Sequence, residues 1–507
     1  MDLLLGIDVG TTNIKAVVYD PDRGEVLSTA SQPTPTDHPR PGWTEHDPEA
    51  LWRTVCAVVR QASAGWADRI GALAVASLAE AGVPLDAHDR PVYPIIAWHD
   101  PRTEPLVAVV EQQIDPARLY AITGHPVQAK FSLLKLLWLR QHQPAAFQRL
   151  VRWLCLEDYV IWRLSGEAAT DYSIASRTLL FDQRQRTWSR ELLDLFGLPQ
   201  TLLPPAYPGG TPVGRVTPQA AATTGLRAGT LVATGGHDHL CGALAAGVTE
   251  PGQLLDSIGT AIGLVLATPT FAPDEDLRQS GYCLYCHAIP DRYVVQGGLT
   301  LGGGLLPWFL ERWWPAAGGP GEAVFATALA AASAVPPGSG GLVWLPFLRG
   351  SGTPRNDARA RGALVGLTAD HEPRHALRAL LEGLGYWLRE NCERLAEREP
   401  LSEPLVAIGG GARMPLLLQL KATITGRALR APAVAEATAL GAALLAGLAG
   451  RRFTTPGEAA ASVRCSDQLY TPGPDRPVYD RLYREVYRPL VTALTPLFHR
   501  LGPLAGV

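Results

Sequence analysis

Two stretches nearly half a chain apart follow one plan. Leu5-Gly6-Ile7-Asp8-Val9-Gly10-Thr11-Thr12 near the start is echoed by Leu254-Leu255-Asp256-Ser257-Ile258-Gly259-Thr260-Ala261 near the middle. Each is an apolar strand running into a Gly/Thr turn, and the first continues through Asn13 to Asp20 as a second strand, which predicts a hairpin. Asp47-Pro48-Glu49-Ala50-Leu51 then reads as a capped helix start with proline in the first turn, a role repeated by Glu372-Pro373-Arg374-His375-Ala376-Leu377. The strand pattern Ile70 to Ser77 has its counterpart in Leu405 to Ala412. A hairpin-helix-strand plan used twice, at a period too long for a solenoid, predicts an α/β fold of two duplicated lobes around a central cleft. The boundary is expected at Ala245 to Pro251, giving lobes 1–246 and 247–507, the second ending in a helix from Arg476 to Leu501. Pro204 to Pro212 and Val335 to Gly341 read as surface loops.

A chain of 507 residues, 47% hydrophobic and 18% charged, has material for two substantial cores. Its net charge of -3 leaves no electrostatic footprint for nucleic acid or an anionic membrane, so neither is expected as a partner. Met1 to Gly6 lacks the basic region of a signal peptide, and the apolar run Ala437 to Ala449 is shorter than a membrane span. Seven scattered cysteines fit a reducing compartment better than a disulfide framework, so a cytoplasmic location is expected.

The turns carry the candidate chemistry. Gly10 lets backbone amides approach a phosphate, Thr11 and Thr12 add hydroxyl donors, and Asp8 at the strand end can hold Mg²⁺ directly or through water. Gly259 and Thr260 supply a second such turn, so the two can clamp a triphosphate from both sides. Gly409-Gly410-Gly411-Ala412 ends a strand and offers bare backbone to an adenosine. Between the lobes, Gly235-Gly236-His237-Asp238-His239 places a carboxylate after a strand and before an Ala/Gly-rich helix. That suits Asp238 to accept a hydroxyl proton during phosphoryl transfer. His237 and His239 lack the further Cys/His ligands of a metal site. In the other lobe, Ala79 and Glu80 after a buried strand, with Trp98, Asp100 and Arg102, form a set able to hydrogen-bond and stack on a polyhydroxyl ligand. Cys283-Leu284-Tyr285-Cys286-His287 matches a haem-attachment pattern but falls inside a strand pattern, and reads as two core or edge-strand cysteines.

From about residue 3 to about residue 449 these motifs resemble the FGGY carbohydrate kinase family. Asp8-Val9-Gly10-Thr11-Thr12 is similar to its first phosphate loop, Ser257-Ile258-Gly259-Thr260-Ala261 to its second, and Ile408 to Arg413 to its adenosine loop. Lys135-Leu136-Leu137-Trp138-Leu139 resembles one family pattern, and Gly362 to Leu367 with His375, Ala379 and Glu382 another. Gly236-His237-Asp238 falls where the family keeps its catalytic aspartate. Ile96-Ala97-Trp98-His99-Asp100 resembles a segment of the family's xylulokinase branch, whereas Leu78-Ala79-Glu80-Ala81 replaces that branch's Gln-Met-His-Gly. Glu80 instead matches half of the Arg-Glu pair of glycerol kinases. The resemblance implies an actin-like, ribonuclease H-like fold, ATP and Mg²⁺ as cofactors, and a small-molecule sugar or polyol as partner. It also implies Lys15 and Gly303 as phosphate contacts and makes a homodimer plausible. The expected reaction is phosphorylation of a ketopentose such as xylulose. A glycerol- or gluconate-type acceptor is the alternative within the family, and an actin-like ATPase acting on a protein partner is the alternative outside it.

Overall fold

The computed structural model describes residues 2–314 and 321–505. Its first sheet contains β1 (Leu3–Val9), β2 (Asn13–Asp20), β3 (Glu25–Pro33), β4 (Ile70–Ser77), β5 (Pro212–Arg215) and β6 (Leu231–His237), in the order β5-β6-β4-β1-β2-β3. The second contains β7 (Leu254–Ile258), β8 (Ile262–Thr268), β9 (Cys283–Cys286), β10 (Tyr293–Leu299), β11 (Leu405–Ile408), β12 (Leu429–Pro432) and β13 (Asp467–Tyr470), in the order β9-β10-β8-β7-β11-β12-β13. In each sheet the opening strand pairs antiparallel with its hairpin mate and parallel with the strand after the helix. The run β3-β2-β1-β4-β6 thus has the same pairing pattern as β10-β8-β7-β11-β12.

Local chemistry explains the helices. α1 (Pro48–Ser63) starts where the Asp47 side chain accepts a hydrogen bond from the Ala50 amide. It packs Leu51, Val55, Val58 and Val59 against the first sheet's core. α3 (Pro373–Ala396), the counterpart in the second half, is buried along most of its length. The C-terminal run Arg476–Arg481, Leu482–Tyr487 and Arg488–Ala505 lays Tyr479, Tyr483 and Tyr487 around Tyr386 of α3.

Two further helices join the lobes. α2 (Asp238–Ala245) follows β6, and α4 (Ala437–Ala449) follows β12. They cross closely, because a side chain on Gly441 would put its Cβ 1.9 Å from the Cys241 carbonyl. α4 also reaches back to lie on β1, where a Cβ on Gly6 would sit 1.8 Å from the Ala439 carbonyl. A residue 247–507 lobe therefore supplies cover for the first sheet. The apolar run Ala437 to Ala449 is a buried interlobe helix, and no helix among the described residues is long and apolar enough to cross a membrane.

The two loops expected at the surface are tied inward. Thr211 bonds to Thr234 through its amide, and Ser339 is fully buried with its hydroxyl donating to Glu382. Cys283 and Cys286 lie on the buried edge strand β9.

Gly6→Ala should lower stability by about 1–3 kcal/mol through overpacking, read as an earlier midpoint in chemical denaturation. Gly321→Ala, where a Cβ meets nothing within 4 Å, is the control.

Candidate active site

The end of β6 is shaped by its two glycines. The pairing of β6 with β4 slips between Thr234 and Gly236, a bulge at Gly235, where a Cβ would lie 2.1 Å from the Val75 carbonyl. Gly236 presses on Ala288 and Ser173 in the same way. Around this bulge, Glu157 Oε1 accepts from the Gly235 amide at 2.7 Å and Ser173 Oγ from the His237 amide at 2.9 Å. Ser173 Oγ in turn donates to Asp171 at 2.9 Å. These buried supports fix the strand end, so Asp238 starts α2 facing the space between the sheets.

That space is a cavity of about 450 Å³. Thr11 of the first turn, Ala261 of the second, Ala79, Glu80, Trp98 and Asp238 all line it. The side chain of Asp238 is 28% exposed, against 5% for that of the neighbouring His237. Burial raises its carboxyl above the ordinary carboxylate value, the charge of His239 and the His239 amide oppose that, and Glu80 adds to it. Asp8 is pushed well up by burial and then by the Asp238 charge, with Lys15 opposing. Its Oδ1 is buried without a hydrogen-bond partner.

Glu80 has a left-handed backbone at φ 71°, which a non-glycine residue adopts only when its surroundings enforce it. Its carbonyl accepts from Ser132 Oγ at 2.9 Å, and its side chain meets Arg177, whose Nε donates to Glu80 Oε1 at 2.8 Å and whose second nitrogen also binds that oxygen. Both side chains are 5% exposed. Trp98 donates from Nε1 to Thr11 Oγ1 at 3.0 Å, which joins the cavity wall to the first turn.

Asp100 and Arg102 require a correction, for neither reaches the cavity. Arg102 donates to Asp100 at 2.8 and 2.7 Å and to Glu45 at 2.6 Å, and its guanidinium lies 3.7 Å from the Trp43 ring centroid. Their side chains are 1% and 0% exposed, and Asp100 also accepts from the Thr44 amide. All this bonding capacity is spent on anchoring the loop that carries Trp98.

The nucleotide-binding expectations divide similarly. Gly10, Thr11 and Thr12 form the turn of the first hairpin, the first two half-buried and Thr12 exposed, pinned from behind by Thr34 through the Gly10 and Thr12 carbonyls. Gly259 and Thr260 are exposed in the second, while Gly303 packs its bare Cα behind it, with a Cβ there falling 2.1 Å from the Gly259 carbonyl. Gly303 therefore shapes the second turn. Gly409 at φ 91° and the open Gly410 are exposed beside that turn, Gly411 is buried against Ile258, and Ala412 closes the bend by donating to the Gly409 carbonyl. Lys15 donates to Glu436 at 2.6 Å across the lobes and stays partly exposed, which leaves its ammonium further donors.

The cavity also contains residues that sequence reasoning missed. Arg177, Lys130, Gln296, Thr353 and Asn356 line it, the last two from one loop and the others from separate segments. Thr353 and Asn356 fall in the stretch Pro346 to Asp357, whose sequence resembles the xylulokinase branch, whereas Arg177, Lys130 and Gln296 sit in no motif. Lys130 has no carboxylate partner among the described residues. Burial lowers its pKa, and Arg177 lowers it further.

Two hairpin turns and a carboxylate around one polar cleft define a phosphotransferase site. Sequence comparison assigns the class: residues 3–245 match the N-terminal domain, and 254–450 the C-terminal domain, of the FGGY family of carbohydrate kinases. The chain belongs to that family and is an ATP-dependent carbohydrate kinase with an alcohol group as acceptor. It is similar to xylulose kinase of Bacillus subtilis (strain 168), at 30% identity over 97% of both chains. Glycerol kinase of Gloeobacter violaceus (strain ATCC 29082 / PCC 7421) is 32% identical, covering 93% of this chain and 92% of that one. Among solved structures, xylulose kinase from Rhodospirillum rubrum superposes with a TM-score of 0.90 at 32% identity, over 98% of this chain and 100% of that one. The actin-like, ribonuclease H-like fold expected from the sequence is the fold of these relatives.

Glu80→Gln should destabilise the protein by about 3–5 kcal/mol, because it leaves a buried guanidinium uncompensated. Denaturant titration measures this, and a change below experimental error would show that the pair does not hold the site together.

Proposed function

We propose that this kinase phosphorylates a ketopentose such as xylulose, with Asp238 as the proton acceptor. The observation that supports the mechanism is that Asp238 lines the same cavity as Thr11 and Ala261 of the two turns. The acceptor hydroxyl loses its proton to Asp238 as its oxygen attacks the γ-phosphorus of ATP, and the bond to ADP breaks. The turns offer amides and hydroxyls to the phosphates, and the enclosing lobes exclude water that would otherwise compete as acceptor. The orphaned Asp8 Oδ1 fits a divalent cation, which when bound supplies positive charge to the phosphates. Resemblance over nearly the full chain to xylulose kinases supports the pentose. A cytoplasmic setting agrees with the seven cysteines, all free thiols.

A second acceptor is favoured by one observation. The unpaired ammonium of Lys130 on the cavity wall suits the carboxylate of an aldonate, as in a gluconate-type kinase.

ATP consumption should be measured with ketopentoses, glycerol and aldonates. A ketopentose should give the highest kcat/KM, and Lys130→Met should leave that value nearly intact. An aldonate preference abolished by Lys130→Met would establish the second acceptor. ATP turnover indifferent to every compound would instead support an actin-like ATPase. Asp238→Asn should fold normally and lose about 10²–10⁴-fold in kcat; substantial retained turnover removes Asp238 from its role. Asp8→Ala should weaken the Mg²⁺ dependence of ATP use, and an unaltered dependence would contradict a cation at that carboxyl.

A further inference from the structure

A continuous chain of polar groups runs from Glu80 to Asp238, and its proton positions can be deduced from one end. Glu80 holds Arg177, and Arg177 points another nitrogen at the side-chain amide of Gln296, 3.3 Å from Oε1. A guanidinium has only donors, so the Gln296 atom facing it is the oxygen. The Tyr285 hydroxyl lies 2.8 Å from that same oxygen and must donate its single proton to it. The hydroxyl oxygen then has only lone pairs left for His237 Nδ1, 3.0 Å away, so Nδ1 carries a proton. Burial, reinforced by the charge of Arg177, holds His237 neutral. Its Nε2 is therefore bare, and it faces Asp238 Oδ1 at 3.2 Å.

We propose that His237 is a positioning residue for phosphoryl transfer, locked as the Nδ1–H tautomer so that its Nε2 lone pair faces the carboxylate of Asp238. The inference rests on the reading of Asp238 as proton acceptor. A lone pair against an ionised carboxylate adds no donor to the one that Oδ1 already has, the His239 amide at 2.6 Å, so the ionised form is less stabilised than a donating ring would make it. When the acceptor O–H bond breaks and its proton moves to Asp238, the repulsion is relieved. A proton on Oδ1 can then hydrogen-bond to Nε2 outright. The opposite tautomer would donate to the carboxylate and hold it as a weak base. The other groups acting on Asp238 are Asp8 from β1, Glu80 after β4, Arg177, Tyr285 on β9, and His239 within α2. Among them, only His237 and the His239 amide bond or abut Oδ1.

The two ring nitrogens of His237 can be read in ¹⁵N-histidine-labelled full-length enzyme by long-range ¹H–¹⁵N correlation, the signal lost in His237→Gln giving the assignment. The expected spectrum has Nδ1 protonated and Nε2 bare. In Tyr285→Phe the partner of Nδ1 is gone, so the proton should move to Nε2. Its kcat should fall about tenfold, the value of one hydrogen bond in the transition state, with KM for sugar and ATP little changed. A wild-type ring protonated at Nε2, or at both nitrogens, overturns the proposal. So does a Tyr285→Phe enzyme that switches tautomer and keeps its kcat, or one that keeps the Nδ1 proton. The spectrum does not depend on turnover. An active Asp238→Asn enzyme would thus defeat the proton-acceptor reading, whereas a wrong tautomer defeats only the role of His237.

Discussion

Everything at the site depends on how closely α2 and α4 cross. These helices pack between the two sheets at backbone distance, and glycine is what admits that distance at Gly6 and Gly441. α2 begins with Asp238, so the crossing that joins the lobes also sets the height of the carboxylate in the cavity. The surrounding core includes Leu240, Leu244, Leu255, Val265, Leu440 and Leu444, close-packed aliphatic side chains that stiffen the junction. A shift of either helix would move the proton acceptor relative to both phosphate turns together.

On this frame sits a polar network that is enclosed on most sides. Removing charge from water is unfavourable unless partners and hydrogen bonds replace the solvent. The protein answers with paired charges at Glu80–Arg177 and Arg102–Asp100–Glu45 and with backbone donors to Glu157 and Asp171. Burial still pushes Asp158 up to about 7 and Asp171 up to about 6. The strand end behind Asp238 therefore rests on carboxyl groups that hold protons more firmly than exposed ones. Where the network opens on the cavity, Asp238 and Lys130 are the charges without an ion-pair partner of opposite permanent sign.

Much of this could be read in the chain before any fold was known. The twin Gly/Thr turns, the helix starts at Pro48 and Pro373, and the strand before Asp238 are local patterns, because hairpins, caps and strands are governed by neighbours in sequence. The pair Asp100 and Arg102 shows where such reading stops. Their spacing beside Trp98 looked like a ligand-binding set, yet Glu45 and Trp43, far off in sequence, consumed the arginine. Lys15 and Gly303 likewise meet residues far off in sequence, one Glu436 and the other the carbonyl of Gly259.

The sequence alone determined the duplicated α/β plan, the two Gly/Thr turns and the place of the Asp238 carboxylate between a strand and a helix, since each is written in a short run of residues. Only the tertiary structure decided which side chains share the cavity with Asp238, and that the ring beside it is held in one tautomer. Arg177, His237 and the β9–β10 hairpin that carries Tyr285 and Gln296 are distant in the chain, and hydrogen bonds pass a proton preference from one to the next only after folding brings them within about 3 Å. That dependence on distance is the physical reason the second half of the site could not be read from the letters.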